Sequence, residues 1–174
     1  MTGRCLIVAN QTLGGDELEA SVRECIGRDV DRFYVLVPIT KLEHETTDWS
    51  GGFPLDDGGS MERARALVEA NRRRQEEAAR KREAMLEDAR RRAQQRLDRM
   101  IERIAHLGGE AEGETGTDDP LEAVRSVLKR ESAFEEIIVS TLPARLSRWL
   151  KMDLPNRIAR LTHVPVTTIE AEPD

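Results

Sequence analysis

Polar side chains follow two apolar runs, one near each end of the sequence. Asn10 and Thr12 come after the run CLIVA, and Ser140 and Thr141 come after the run IIV. The second run is β-branched without polar alternation, which is typical of a strand buried on both faces of a parallel sheet. Open α/β sheets bind ligands outside the carboxyl ends of their strands, so the segment 140–153 is the first place to look for a binding site. Amide and hydroxyl groups there could form hydrogen bonds with a ligand.

Charged residues further along this segment could interact with an anion. Asp153 is well placed as the N-cap of a helix with Pro155 in its first turn. A helix N-terminus attracts phosphate through its free N–H groups, and a carboxylate resident there uses those donors and repels a second anion. The neighbouring cations could pair with Asp153 or face solvent, which we favour, or could bind an anion by their side chains. These cations are Arg145, Arg148, Lys151 and Arg157.

The remaining reactive side chains lack the spacing that catalysis or metal binding requires. His44, His106 and His163 share no motif, and each is interpreted as a surface or capping residue. Cys5 lies in an apolar run and Cys25 on the apolar face of a helix. Both are therefore interpreted as small buried hydrophobes rather than as a disulfide pair or half a metal site. We expect neither an enzyme nor a metal-binding protein.

Alternating apolar and amphipathic segments position these residues. Strand-like runs occupy 4–9, 32–39, 110–114, 136–140 and 164–171, and the helical patterns between them predict the order βαβαβαβαβ. Short right-handed crossovers then favour a mainly parallel, five-stranded, Rossmann-like sheet with helices on both faces. The predicted fold class is α/β, with one greatly extended helix.

This order, with the residues at its two ends, resembles the universal stress protein family. The stretch CLIVANQT sits where that family has an aspartate and a small hydroxyl residue after its first strand, and the last segment matches its strand, loop, helix and PV strand. The resemblance covers 4–39 and about 89–170. It implies a five-stranded parallel fold of the adenine nucleotide alpha hydrolase type, often dimeric, which in many members binds ATP.

The chain departs from this family where phosphate would bind. The resemblance implies a glycine-rich loop after the fourth strand, but the matching stretch STLPARLSRWLKMDLP contains no glycine. Pro143 has no N–H to offer a phosphate oxygen, and Asp153 falls at the position of the family's Gly-Ser pair. We therefore expect no cofactor, with weak ATP binding as the alternative. The candidate remnant nucleotide crevice consists of Asn10, Thr12, Ser140, Thr141, Arg145 and Asp153.

A helical pattern from residue 61 to about 107 is longer than a small sheet can cover. Gly108 and Gly109 provide its C-terminal stop. We expect one domain, 1–174, with a flexible loop at 41–60 and a projecting charged helical extension at 61–88. The apolar face suited to the sheet is formed by Leu86, Ala89, Ala93, Leu97, Met100, Ile101, Ile104 and Leu107.

Charge on the long helix differs from that of the rest of the chain. Between Glu62 and Arg103 there are fourteen basic and nine acidic residues, a net charge of +5, in a chain whose total is −6. Acids at i and bases at i+4 support a solvated helix, which is the leading interpretation, and a coiled-coil or helix-pair contact is the next. Nucleic acid is unlikely because acids are interleaved and aromatics are absent. A partner would meet the face formed by Arg72, Arg73, Arg74, Arg90, Arg91 and Arg92.

The fifth strand is the candidate dimer edge. Members of the resembling family often pair there, and an unpaired strand edge would otherwise be exposed. The edge residues are Val164, Val166, Thr168, Ile169 and Glu170. A homodimer is therefore expected.

No run approaches the length of a membrane span and no signal peptide is evident, so membrane insertion is not expected and the protein is predicted to be cytoplasmic. The leading function is a non-enzymatic, universal-stress-type regulatory protein that acts through dimerisation and partner binding. One alternative is an ATP-binding nucleotide sensor. The other is a regulatory domain that docks on a transporter or enzyme through the long helix.

Overall fold

Five parallel strands form one sheet. In the computed structural model, which describes residues 3–39, 61–131 and 133–172, their order across the sheet is β3-β2-β1-β4-β5. Every pairing is parallel, which confirms the predicted α/β sheet and places β3 and β5 at its edges. The strands are β1 Gly3–Val8, β2 Val30–Pro38, β3 Glu110–Gly116, β4 Glu136–Thr141 and β5 Val166–Glu170.

The chain divides into two units. The first comprises Met1–Thr40 and Ala89–Asp174, and the second comprises Lys41–Asp88. The flexible loop predicted for 41–60 lies outside the described residues and stays a prediction.

Helices connect the strands as the sequence predicts, with one exception. The segment between β4 and β5 forms two short helices rather than one. The long helix α2 is confirmed and ends before Gly108, whose φ of 92° is a left-handed conformation that glycine adopts without strain. Within the described ranges, no helix has an apolar stretch long enough to cross a membrane. The helices are α1 Asp16–Gly27, α2 Met61–His106, α3 Pro120–Arg130, α4 Arg148–Lys151 and α5 Leu154–Ala159.

Alternate residues of the central strands belong to two separate hydrophobic cores. Cys5 and Ile7 of β1 pack with residues of α1 and α2, whereas Leu6 and Val8 pack with residues of α3 and α5. Side chains of a strand alternate between the two faces of a sheet, so a strand covered on both faces must be apolar throughout. The continuous apolar runs in the sequence are explained by this arrangement.

The part of α2 in the first unit carries one apolar stripe. Ala93, Leu97, Met100 and Ile104 recur every three or four residues and are buried against the sheet. Leu86, predicted for the same stripe, lies in the second unit and is 41% exposed. The prediction is therefore wrong for Leu86.

The described part of the second unit is the first half of α2, and its side chains are mostly exposed. Met61, Leu67 and Val68 are exposed despite being apolar. Glu69 lies 3.4 Å from the Arg73 side chain, which confirms one of the predicted i,i+4 ion pairs. Exposed pairs of this kind contribute only a few tenths of a kcal/mol each, on the order of 0.3 to 0.5.

Candidate functional site

The sheet brings the two predicted polar groups together. β1 and β4 are adjacent and parallel, with Val8 opposite Val139, so the residues that follow these strands meet at the same edge of the sheet. Thr12 Oγ1 lies 2.8 Å from Ser140 Oγ, and both side chains are buried. The two hydroxyl groups are thus hydrogen-bonded to each other inside the predicted crevice.

Asn10 is held by protein groups at both ends of its side-chain amide. Its Nδ2 donates to the carbonyl oxygen of Pro38 at 2.6 Å, and its Oδ1 accepts from Arg96 Nη1 at 2.8 Å. Asn10 is buried as well. A ligand that used this amide would have to replace hydrogen bonds that the protein already makes.

The hydroxyl groups of Thr141, at the end of β4, and of Ser147, in the turn that follows, are also bonded within the protein. Thr141 Oγ1 and Ser147 Oγ share a short hydrogen bond. Ser147 is the N-cap of α4, and its Oγ accepts from the backbone N–H of Leu150 at 3.1 Å. The side-chain hydroxyl groups of this segment are therefore already bonded to each other and to the start of α4.

Backbone N–H groups in the turn after β4 point at protein acceptors. Ala144 N–H donates to Glu170 Oε2 at 3.0 Å. Leu146 N–H and Ser147 N–H both donate to the Pro143 carbonyl oxygen, at 2.8 and 2.9 Å. A phosphate cradle requires such N–H groups to point at the ligand, and here a carboxylate of the protein already occupies one of them.

Asp153 does not act as predicted. It holds the N-cap position of α5, but it has a left-handed backbone with φ 55° and makes no side-chain capping bond. Its N–H donates to the Leu150 carbonyl oxygen at 3.0 Å, which closes the end of α4, and its Oδ1 accepts from Asn156 Nδ2 at 2.6 Å. A capping residue needs an extended backbone to aim its carboxylate at the helix, so the left-handed turn excludes the predicted cap.

The rest of the segment after β4 is only partly packed. Arg145 and Leu146 are exposed in the turn, and Leu146 is 53% exposed. Trp149 is half-buried against the core that contains α3 and α5. This segment is therefore packed on the sheet at Trp149 and exposed to solvent at Leu146. Leu161, just beyond the end of α5, is also exposed, whereas Ile158 within α5 is buried.

A cavity of about 530 Å³ lies beside the start of α1. Arg103 and Gly14 both line this cavity, and Arg103 Nη1 donates to the Gly14 carbonyl oxygen at 2.7 Å. The charged groups that line the cavity balance each other: three arginines, Arg96, Arg99 and Arg103, face three acids, Asp16, Glu17 and Glu172.

Solved structures that are similar to this chain include universal stress proteins. The structure of a universal stress protein from Archaeoglobus fulgidus has a TM-score of 0.52 with this chain, at 14% identity, over 98% of this chain and 96% of that one. The chain has the universal stress protein fold. At this level of identity the likeness concerns the fold alone, and it confirms the resemblance predicted from the sequence.

Two further universal stress proteins are similar at lower TM-scores. One, in complex with cAMP, has a TM-score of 0.48 and 12% identity over 99% of this chain and 100% of that one. The other, from Arabidopsis thaliana with AMP bound, has a TM-score of 0.49 and 12% identity over 98% of this chain and 92% of that one. No protein-family model matches the chain, and no curated protein matches its sequence.

Within this universal stress fold, three residues contribute to the crevice without having been predicted there. Arg96 belongs to a charged helix, and nothing in its spacing distinguishes it from its exposed neighbours. Ser147 directly precedes α4, and a serine before a helix is a typical N-cap residue, so its residue type was a signal that could have been used. Glu170 was predicted as an edge residue, and only the pairing of β4 with β5 brings its carboxylate to the turn after β4.

Proposed function

We propose that this protein is a universal-stress-type regulatory protein without catalytic activity, in which the nucleotide site is closed and function resides in protein contacts. The observation that carries the proposal is the hydrogen bond from Ala144 N–H to the Glu170 carboxylate. It supports a site in which the protein supplies its own anion. Asn10, Thr12, Ser140 and Thr141 add to this closure because each is bonded to another protein group.

Electrostatics favour the resident carboxylate over an incoming phosphate. Phosphate binding in this turn requires Glu170 to withdraw, because two anions at one N–H group repel each other. Pro143 supplies no N–H, and the neighbouring donors of Leu146 and Ser147 are bonded to the Pro143 carbonyl oxygen. A phosphate in this turn would therefore be repelled by Glu170. It would receive no N–H hydrogen bond from position 143, and none from positions 146 and 147 unless their present bonds broke.

Titration calorimetry with ATP and magnesium on the purified full chain tests this proposal. The wild type is expected to give no binding heat, and Glu170→Gln, which removes the charge, is expected to recover weak binding. Asp153→Ser serves as the matched control, since its carboxylate bonds Asn156 rather than the turn. Micromolar binding by the wild type would overturn the proposal.

A homodimer through β5 is part of the proposed mechanism. β5 is an edge strand, and an edge presents unpaired backbone groups to a second chain. Pro165 C=O and Ala171 N–H both bond β4. Because alternate residues of a strand direct their backbone groups to the same side, the N–H groups of Val166, Thr168 and Glu170 face away from β4.

A nucleotide sensor is the second candidate, and the cavity beside α1 favours it. Arg96, Arg99 and Arg103 line this cavity beside the N-terminus of α1, but Asp16, Glu17 and Glu172 offset their charge, so a nucleotide is expected to bind there only weakly. Binding in this cavity would be weakened by Arg99→Gln and left unchanged by Glu170→Gln. The calorimetric comparison therefore separates the cavity from the turn after β4.

Docking on a transporter or enzyme through α2 is the third candidate. The exposed apolar residues Met61 and Val68 lie seven positions apart, two helical turns, and so share a face. Arg72 and Arg73 already contact Glu69, at 3.1 and 3.4 Å. Replacing the predicted cationic positions 72–74 by glutamate should abolish capture of a partner, and the same change at 80–82 should not.

A further inference from the structure

The two cysteines of the chain meet at the end of the sheet opposite the crevice. Cys5 belongs to β1 and Cys25 to the last turn of α1, and both are buried, as predicted. Glu136 is the first residue of β4 and stands opposite Cys5 in the parallel register. The two sulfur atoms and a carboxylate oxygen of Glu136 all lie within 4.8 Å of one another.

We propose that Cys5, Cys25 and Glu136 form a binding site for a soft divalent cation such as Zn²⁺. This inference is independent of the proposed function, because it concerns the opposite end of the strands. Two thiolates and one carboxylate are a donor set that zinc accepts, with water in the fourth position. Metal–ligand bonds of about 2.0 to 2.3 Å place tetrahedral ligand atoms roughly 3.5 Å apart, so the site needs to contract by only about 1 Å.

Simple packing accounts for the cysteines but not for the carboxylate beside them. Buried cysteines commonly serve as small hydrophobes. Here, however, Cys25 Sγ donates to Glu136 Oε1 at 3.0 Å, and the Glu136 side chain is only 12% exposed. The sequence separates the three residues by up to 131 positions, so neither their spacing nor a motif reveals the cluster.

Arg28 supplies the positive charge that a cation would replace. Its Nη2 lies 3.0 and 3.2 Å from the two carboxylate oxygens of Glu136. The Arg28 side chain is 52% exposed, so it can turn into solvent when a bound cation takes over its pairing with the Glu136 carboxylate.

Cobalt titration of the reduced full chain tests the site. Co²⁺ is expected to produce one equivalent of thiolate-to-metal charge-transfer absorption that Zn²⁺ then abolishes. Since Cys5 and Cys25 are the only cysteines in the sequence, this absorption reports on them alone. Cys25→Ser is expected to lose it, and Glu136→Gln to weaken Co²⁺ binding by at least ~10-fold.

Glu135→Gln is the matched control, since Glu135 precedes Glu136 but is exposed and outside the cluster. It is expected to bind Co²⁺ as the wild type does. Far-UV circular dichroism confirms that each variant folds, and Zn²⁺ should raise the Tm of the wild type but not of Cys25→Ala. Absence of charge-transfer absorption in the reduced wild type would overturn the proposal. It would do so even if the same chain formed a Cys5–Cys25 disulfide in air, because a disulfide shows only that the two sulfur atoms are close. If Glu136→Gln and Glu135→Gln bound Co²⁺ equally well, Glu136 would not be a ligand and the proposed three-residue site would be wrong.

Discussion

Glu170 connects the last strand to the turn after β4. Its carboxylate accepts from Ala144 N–H across 26 positions of sequence. A hydrogen bond to an ionised acceptor is stronger than one between neutral groups, although partial exposure to solvent reduces its net value. The side chain therefore has a structural role besides the proposed exclusion of phosphate.

Glu170→Ala is expected to lower the free energy of unfolding by about 1 kcal/mol, because Ala144 N–H loses its ionised acceptor. Urea denaturation of the purified chain measures this change. Glu172→Ala is the control, since Glu172 is likewise exposed and lines the cavity beside α1 instead. Equal stability of the two variants would show that the bond to Ala144 contributes nothing.

Two aspartates precede helices, but only one caps its helix. Asp119 has an extended backbone, and its Oδ1 accepts from the N–H groups of Leu121 and Glu122 at 2.9 and 3.1 Å. Asp153 has a left-handed backbone and no such bonds. Asp119→Ala should therefore cost about 1 kcal/mol in stability by thermal or urea unfolding.

Asp153→Gly is expected to cost clearly less stability than Asp119→Ala, because glycine adopts the left-handed conformation without strain and only the exposed bond from Asn156 Nδ2 is lost. Unfolding midpoints of the two variants, measured side by side, provide the comparison. A loss for Asp153→Gly as large as that for Asp119→Ala would mean that the carboxylate of Asp153 stabilises α5 after all.

β5 is the element on which dimerisation depends in this account. Thr168 N–H faces away from β4, so Thr168→Pro removes a donor from the outer edge without removing a bond of the sheet. Sedimentation velocity should show a dimer for the wild type and for Thr168→Val, and a monomer for Thr168→Pro. An unchanged dimer in the proline variant would place the interface elsewhere.

At the scale of the whole molecule, sequence patterns predict the first-unit fold well because they report burial. The runs CLIVA and IIV are apolar throughout since both sheet faces are covered, and Gly108 ends α2 because it takes a left-handed turn. Side-chain contacts between residues far apart in the chain leave no such pattern in the sequence. The bonds from Arg96 to Asn10 and from Ala144 to Glu170 join distant segments, and local rules wrongly predicted a cap at Asp153.

The central claim is that the turn after β4 is closed by the protein's own carboxylate. Amide NMR spectra of the ¹⁵N-labelled full chain, recorded during titration with ATP and magnesium, test it most directly. We predict that adding ATP leaves the amide signals of Ala144, Leu146 and Ser147 unchanged in the wild type. In Glu170→Gln, adding ATP is expected to shift the Ala144 signal strongly and the other two little. Saturable ATP-dependent shifts of all three signals in the wild type would contradict the account, because they would show phosphate reaching N–H groups that the structure assigns to Glu170 and Pro143.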